Sequence, residues 1–144
     1  MTVTEPATPA ELARYYHLRW KILRAPWEQP PGSERDTLDN NSIHAMAVAN
    51  TRIPLGVGRL HFNTISEAQI RYMAVATRYQ RMGIGSLVLE FLEHRARSLG
   101  AARIVLEARE TAIGFYRKMG YTPTGPGVML FNRIAHVTMS KRTA

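Results

Sequence analysis

A single α/β (α+β) domain, built on one central mixed β-sheet flanked by helices, is the fold class the sequence predicts. Three observations point to it. The 144 residues, 45% of them hydrophobic, suffice for one core and fall short of the size at which cores divide. Segments with strand-like and helix-like apolar patterns follow one another in the order α, β, β, β, α, β, α, β, β. Within that order, a strand at 69–76, a helix at 83–99 and a strand at 103–108 read as a crossover unit, which implies a locally parallel pair inside a mixed sheet. No repeat or linker interrupts the chain, so residues 1–144 are read as one domain.

The first helix is expected over 9–24, where Leu12, Tyr15, Tyr16, Leu18, Ile22 and Leu23 form an apolar stripe. Thr8 is its N-cap, Pro9 opens its first turn, and Glu11 stands where a capping box needs an acid. The stretch from Pro26 to Gly32 reads as a loop. Residues 43–49 and 55–65, rich in β-branched and aromatic side chains around the turn-forming 50–54, read as a hairpin, and 69–76 as a third strand. In the helix at 83–99, Leu87, Val88, Phe91, Ala96 and Leu99 are placed on the apolar side and Glu90, Glu93 and Arg97 on the polar side, with Gly100 closing it. After the strand at 103–108 come a short helix at 111–119 stopped by Gly120, a strand start at 121–124, and a final strand at 134–140.

Composition narrows the chemistry. There is no cysteine, which removes disulfides, thiolate metal sites and thiol nucleophiles. The first residues, MTVTEPATP, lack a basic-then-apolar leader pattern, and the longest purely apolar run is 45–49, so a soluble, cytoplasmic protein with no membrane partner is expected. The net charge is +8, and residues 73–144 carry 11 Lys/Arg against 4 Asp/Glu. Such a half attracts an anion: nucleic acid, phospholipid or a phosphorylated small molecule.

Between the third strand and the second helix lies Thr77-Arg78-Tyr79-Gln80-Arg81-Met82-Gly83-Ile84-Gly85-Ser86. Two glycines at a helix start remove the Cβ atoms that keep a ligand from the backbone, and they leave unpaired N–H groups at the positive end of the helix dipole. Such a nest suits a phosphate, with Arg81 and Arg78 at hand for charge-assisted bonds of about 1.5–3 kcal/mol each. The same glycines serve equally as a plain turn. A P-loop is excluded for want of Gly-Lys-Ser/Thr, and a dinucleotide fingerprint because Val88 stands where its third glycine belongs.

Gln80-Arg81-Met82-Gly83-Ile84-Gly85, preceded by the strand Tyr72-Met73-Ala74-Val75, resembles the Q/R-x-x-G-x-G/A signature of the GNAT family of N-acetyltransferases. A second segment, Ala112-Ile113-Gly114-Phe115-Tyr116-Arg117-Lys118-Met119-Gly120-Tyr121, is similar to that family's A-x-x-x-Y-x-k-x-G-F/Y stretch. Leu18-Arg19, Glu28-Gln29, Asp39 and His44 more loosely resemble an ElaA-like subgroup. One departure is the family's first strand, which has only Met1 to Thr4 to occupy.

The resemblance implies a sheet whose two parallel strands splay, and acetyl-CoA as co-substrate. Its pyrophosphate would lie on Arg81, Met82, Gly83, Ile84, Gly85 and Ser86, and its pantetheine arm along the backbone of Met73, Ala74 and Val75. The Val75 N–H would stabilise the oxyanion, and Tyr116 would be the general acid for the departing thiolate, although a helix-borne tyrosine also serves as a core aromatic. Arg109 stands where many family members place an asparagine on the cofactor; it can replace that bond, reach a substrate anion, or end a strand in solvent. Glu107 and Glu110 lack an assigned partner.

For the general base the sequence leaves His61, Glu67, His44 and a water chain open. Trp20, Trp27 and Pro30-Pro31-Gly32 fall where the family covers the acceptor. The acceptor is expected to be a primary amine of a small molecule or peptide; homodimers are frequent in the family, and no metal is implied. A non-catalytic acetyl-CoA-binding regulatory domain is the second reading. A nucleic-acid binder is the third, and it lacks any recognisable reading motif or interleaved aromatics.

Overall fold

In a computed structural model that describes residues 1–50 and 52–143, seven strands form one continuous sheet. The strands are β1 (Thr2–Thr4), β2 (Ile43–Val48), β3 (Pro54–Phe62), β4 (Glu67–Val75), β5 (Arg103–Arg109), β6 (Thr122–Leu130) and β7 (Ile134–Arg142). Their spatial order is β1-β2-β3-β4-β5-β7-β6. Only β4 and β5 run parallel, joined by the expected crossover; every other neighbouring pair is antiparallel. The first strand is short, three residues, and pairs with β2 through Thr2↔Val48 and Thr4↔Met46. Of the expected turn at 50–54, Thr51 lies outside the described residues and Pro54 already opens β3.

Helix α1 (Pro9–Leu23) starts with the capping box that Thr8 and Glu11 predict: the Glu11 N–H donates to Thr8 Oγ1 at 3.1 Å, and the Thr8 N–H donates to Glu11 Oε1 at 3.0 Å. It covers one face of the sheet, where Tyr15, Tyr16 and Leu18 pack on Met46, Val48, Val57 and Ala74. Its stripe also contains Arg19, which the apolar pattern passes over and which is fully buried.

On the other face, α2 (Ile84–Ser98) buries Ile84, Val88, Leu89, Leu92 and Ala96 against Ala45, Ala47, Leu60, Ala68 and Ile70. A Cβ at Gly58 would come within 2.9 Å of Val88 Cγ1, so the glycine sets how closely helix and sheet approach. The expected polar face of α2 needs correction at Glu93, which is only 3% exposed; its Oε2 accepts from Tyr121 Oη at 2.8 Å and Lys141 Nζ at 3.1 Å, tying the helix to the far end of the sheet. Leu87 and Leu99, expected inside, are exposed: one lies on the far side of the 84-88-92-96 stripe, the other past the last turn. Gly100 closes the helix as expected, donating to Arg97 O at 3.1 Å.

The short α3 (Ile113–Lys118) lies on the α2 face beside β5. The strand start expected at 121–124 extends instead to Leu130, through Pro123, Pro126 and two register shifts. Prolines are tolerated there because β6 is the outermost strand, where a missing ladder donor faces no neighbour.

Candidate active site

The site originates in one irregularity of β4. Between Val57↔Ala74 and Arg59↔Arg71, two β4 residues, Tyr72 and Met73, face the single β3 residue Gly58: a β-bulge, with Tyr72 at φ +58°. The extra residue shifts the alternation of the strand. Ala68 and Ile70 point into the α2-side core, and so does Met73, whereas Arg71 and Tyr72 both reach Asp36 on the α1 side. The bulge bends β4 away from its parallel neighbour. Pairing with β5 runs from Glu67↔Arg103 to Ile70↔Leu106 and stops there, leaving Arg71–Val75 and 107–109 as the walls of a cleft.

Backbone polar groups line that cleft. The Ala76 N–H donates to Leu55 O at 2.8 Å on the β3 side, so by the alternation of strand amides the Val75 N–H and C=O face the opening. Gln80 Nε2 donates to that carbonyl at 3.1 Å. Beyond Val75 come a 3-10 turn (Thr77–Tyr79) and the glycine loop.

Gly83 is the N-cap of α2 at φ +83°, with no side-chain cap, and Arg81 is also left-handed at φ +65°. A non-glycine residue held there is strained, which is found mostly at functional sites. The Leu87 N–H donates to Gly83 O at 3.2 Å and begins the helical ladder, so among the described residues the N–H groups of Ile84, Gly85 and Ser86 are unpaired at the positive end of the dipole. A Cβ at Gly83 meets nothing within 4 Å, so this backbone faces open space. Gly85 differs: a Cβ there would lie 3.4 Å from Phe115 Cζ and 3.7 Å from Val75 Cγ2. Its small size brings β4, α2 and α3 together at one point.

Tyr116, the next residue on α3, is buried, with its ring edge-on to Phe115 at 5.0 Å and to Tyr121 at 5.8 Å. Burial alone pushes its hydroxyl well above the ordinary phenol range. Among the described residues, that hydroxyl makes no hydrogen bond to protein.

The three side chains considered as bases are engaged elsewhere. His44 lies between Tyr15 Oη at 2.7 Å and Asp39 O at 2.8 Å, and burial holds its pKa below the usual histidine value. His61 bridges Arg59 and Asn63, while Glu67 binds Arg103 and Asn63 at the closed end of the parallel pair. Glu107 accepts from Thr138 Oγ1 at 3.1 Å, and Glu110 is exposed. Trp20 donates to Gln29 O at 2.9 Å, pinning the loop after α1 onto the helix end.

That loop gathers Arg19 and Asp39, quoted above only for a loose likeness, with Arg59 and Asp36, which the sequence reading passed over. Arg19 and Arg59, both fully buried, share Asp39 Oδ1 at 2.9 and 3.1 Å; Arg59 also binds Asp36 at 2.6 Å, and Tyr72 Oη donates to Asp36 at 3.3 Å. The Arg19 guanidinium stacks 4.2 Å over the Tyr72 ring. Arg19 sits four residues after Tyr15 and donates to its hydroxyl at 2.8 Å, a helical spacing that is visible in the sequence. Asp36 in a polar loop gives no comparable signal.

A backbone cradle beside an opened parallel pair, with an uncapped helix start at its end, is what comparison with known proteins can now place. The description "Acetyltransferase (GNAT) family" matches residues 12–121. The chain belongs to the GNAT acetyltransferase family. This acetyltransferase is 27% identical over 131 residues to the uncharacterized N-acetyltransferase YjcF of Bacillus subtilis, covering 91% of this chain and 92% of that one. Its fold is similar to that of an aminoglycoside 6'-N-acetyltransferase complexed with coenzyme A, with a TM-score of 0.82, 18% identity, and coverage of 100% of this chain and 98% of the other. Escherichia coli ElaA overlays with a TM-score of 0.79 at 15% identity, covering 98% and 97%, a likeness of fold. Among the described residues of this acetyltransferase no helix is long and apolar enough to cross a membrane, and no three His, Cys, Asp or Glu side chains gather as metal ligands would.

Proposed function

We propose that this chain transfers an acetyl group from acetyl-CoA to a primary amine of a small molecule or peptide, by direct attack of the amine on the thioester. The observation that carries the reading is the opening of β4 from β5 after Ile70↔Leu106, directly beside the uncapped start of α2. The residues fit the ligand: an anion needs donors, and the loop offers unpaired N–H groups with open space in front of Gly83.

In this reading Arg81, Met82, Gly83, Ile84, Gly85 and Ser86 grip the pyrophosphate, and the free strand edge at Met73, Ala74 and Val75 pairs with the amides of the pantetheine arm. The Val75 N–H donates to the thioester oxygen as negative charge develops there. Tyr116 is the general acid for the leaving thiolate. Its hydroxyl, carried on a buried ring, stays protonated, and the burial that raises the phenol also raises a thiol placed beside it, keeping donor and acceptor matched. With His44, His61 and Glu67 engaged elsewhere, the amine proton passes to water. We place Arg109 on the acceptor side rather than on the cofactor, because the residues alternating with it, Ile104, Leu106 and Ala108, fill the α2-side core.

Acetyl-CoA at about 100 times its Kd stabilises a protein by about 2.7 kcal/mol, so the melting temperature should rise by roughly 6–10 °C. No rise with acetyl-CoA, together with a rise on adding an oligonucleotide, would replace the proposal by a nucleic-acid function. Tyr116→Phe should cut kcat about 10²-fold and leave acetyl-CoA affinity near that of the parent. Equal turnover across pH 7–9 would end the role of the phenol as acid.

A further inference from the structure

Six arginines (Arg19, Arg24, Arg35, Arg59, Arg71 and Arg109) face three carboxylates (Glu34, Asp36 and Asp39) along the α1 side of the cleft. Four of the six are matched: Arg19 and Arg59 by Asp39, Arg59 and Arg71 by Asp36, and Arg35 by Glu34. Among the described residues, Arg24 and Arg109 have no carboxylate within 4.0 Å. Arg24, at the C-cap of α1, is 6% exposed. Its Nε and Nη1 donate to the carbonyls of Ser33 and Leu23, at 3.2 and 3.1 Å, and the Tyr72 hydroxyl beside it favours its charged form against the burial that opposes it. The guanidinium lies 5.6 Å from the Tyr72 ring at the bulge and 5.4 Å from the Phe131 ring in the turn before β7. Arg109 ends β5 opposite His136, near that same turn, and among the described residues its side chain makes no hydrogen bond.

Arg24 therefore reaches from Tyr72 on β4 to the turn before β7, across the end of β5 that carries Arg109. Burial holds both pKa values below the usual arginine value, and the charge of Arg24 adds to the lowering at Arg109. Like charges brought together with part of their hydration removed are unfavourable unless an anion enters between them, and the planar fork of arginine suits a carboxylate or a phosphate. The pyrophosphate nest lies at the start of α2, on the other face of the sheet, so it does not supply that anion.

We propose that Arg24 and Arg109 seat an oxyanion carried by the acceptor, so that the amine substrate is an amino acid or an amino phosphate rather than a polyamine or an aminoglycoside. This deepens the acetyltransferase reading and rests on it. The test is thiol release from acetyl-CoA with matched acceptors: glycine, glutamate, phenylalanine and lysine against their carboxamides, O-phosphoethanolamine against ethanolamine, and spermidine and kanamycin as polycations. Calorimetric binding of the same compounds to the CoA-loaded protein runs in parallel.

At least one anionic member should exceed its neutral partner by about 10²-fold in kcat/KM or Kd, since a site built around a charged bond discriminates strongly against the analogue lacking it. Arg109→Gln, which breaks no side-chain bond among the described residues, should collapse that ratio to below about fivefold, and Arg109→Lys should retain part of it. Preference for the polycations, an unchanged ratio in Arg109→Gln, loss of acetyl-CoA affinity in that variant, or no anionic member either reacting or binding would each overturn the proposal. If acetyl-CoA itself fails to bind, the acetyltransferase reading falls; if it binds and neutral amines react as well as anionic ones, only the oxyanion site does.

Discussion

Gly83→Glu is expected to lower acetyl-CoA affinity at least 10²-fold while the unliganded protein melts within a few degrees of the parent. The position is left-handed and a Cβ there meets nothing within 4 Å, so the cost to the fold is conformational strain of about 1–2 kcal/mol, with no steric clash. The cost to the ligand is much larger. A carboxylate set at the positive end of α2 would occupy the donors that the proposed function assigns to a diphosphate and repel that diphosphate as well. Gly83→Ala separates the two effects, since it carries the strain without the charge and should keep most of the affinity. Calorimetry on both variants checks this, and unchanged binding by Gly83→Glu would remove the loop from the site.

Asp39→Ala should destabilise the fold by about 3–5 kcal/mol, because it leaves two fully buried guanidiniums, Arg19 and Arg59, without their shared partner. Urea unfolding measures it, and a loss below about 1 kcal/mol would show that water or Asp36 replaces the missing carboxylate. The same pair gives a pH dependence. Burial pushes the Asp39 carboxyl up, but the Asp36 N–H and the Arg19 and Arg59 guanidiniums outweigh it and hold the group below its ordinary value of 3.8. Asp36 is likewise held down against its burial, by Arg59 foremost. A depressed carboxyl contributes stability that is present above its unfolded pKa and lost as pH falls through the folded one. The parent should therefore lose stability below about pH 4, and Asp39→Ala should lose less over that interval.

The features legible in the sequence were those that repeat or sit at fixed offsets. The capping box of Thr8 and Glu11, the crossover around β4 and β5 and the glycine loop from Gln80 to Ser86 all lie where local spacing put them. Features that depend on contacts far apart in the chain were not legible. Glu93 reads as a surface residue of α2 until Tyr121 and Lys141 arrive from 28 and 48 residues away. The run Pro123 to Leu130 looks unfit for a sheet, since being outermost is a property of the topology and not of the segment. Arg59, Asp36 and Asp39 form a buried network only because β3 and the loop after α1 meet. The bulge at Tyr72 leaves no mark in composition, because it is a matter of which partner each residue faces.

That last point has a consequence for how this cleft is encoded. What holds the two parallel strands apart is one surplus residue between Ile70 and Ala74, a count rather than a chemical identity. The side chains along the stretch serve the core and the Asp36 network, whereas removing a single amino acid would bring β4 back into step with β3 and take away the bend that opens the slot. The recess is written in the spacing of the chain more than in its letters.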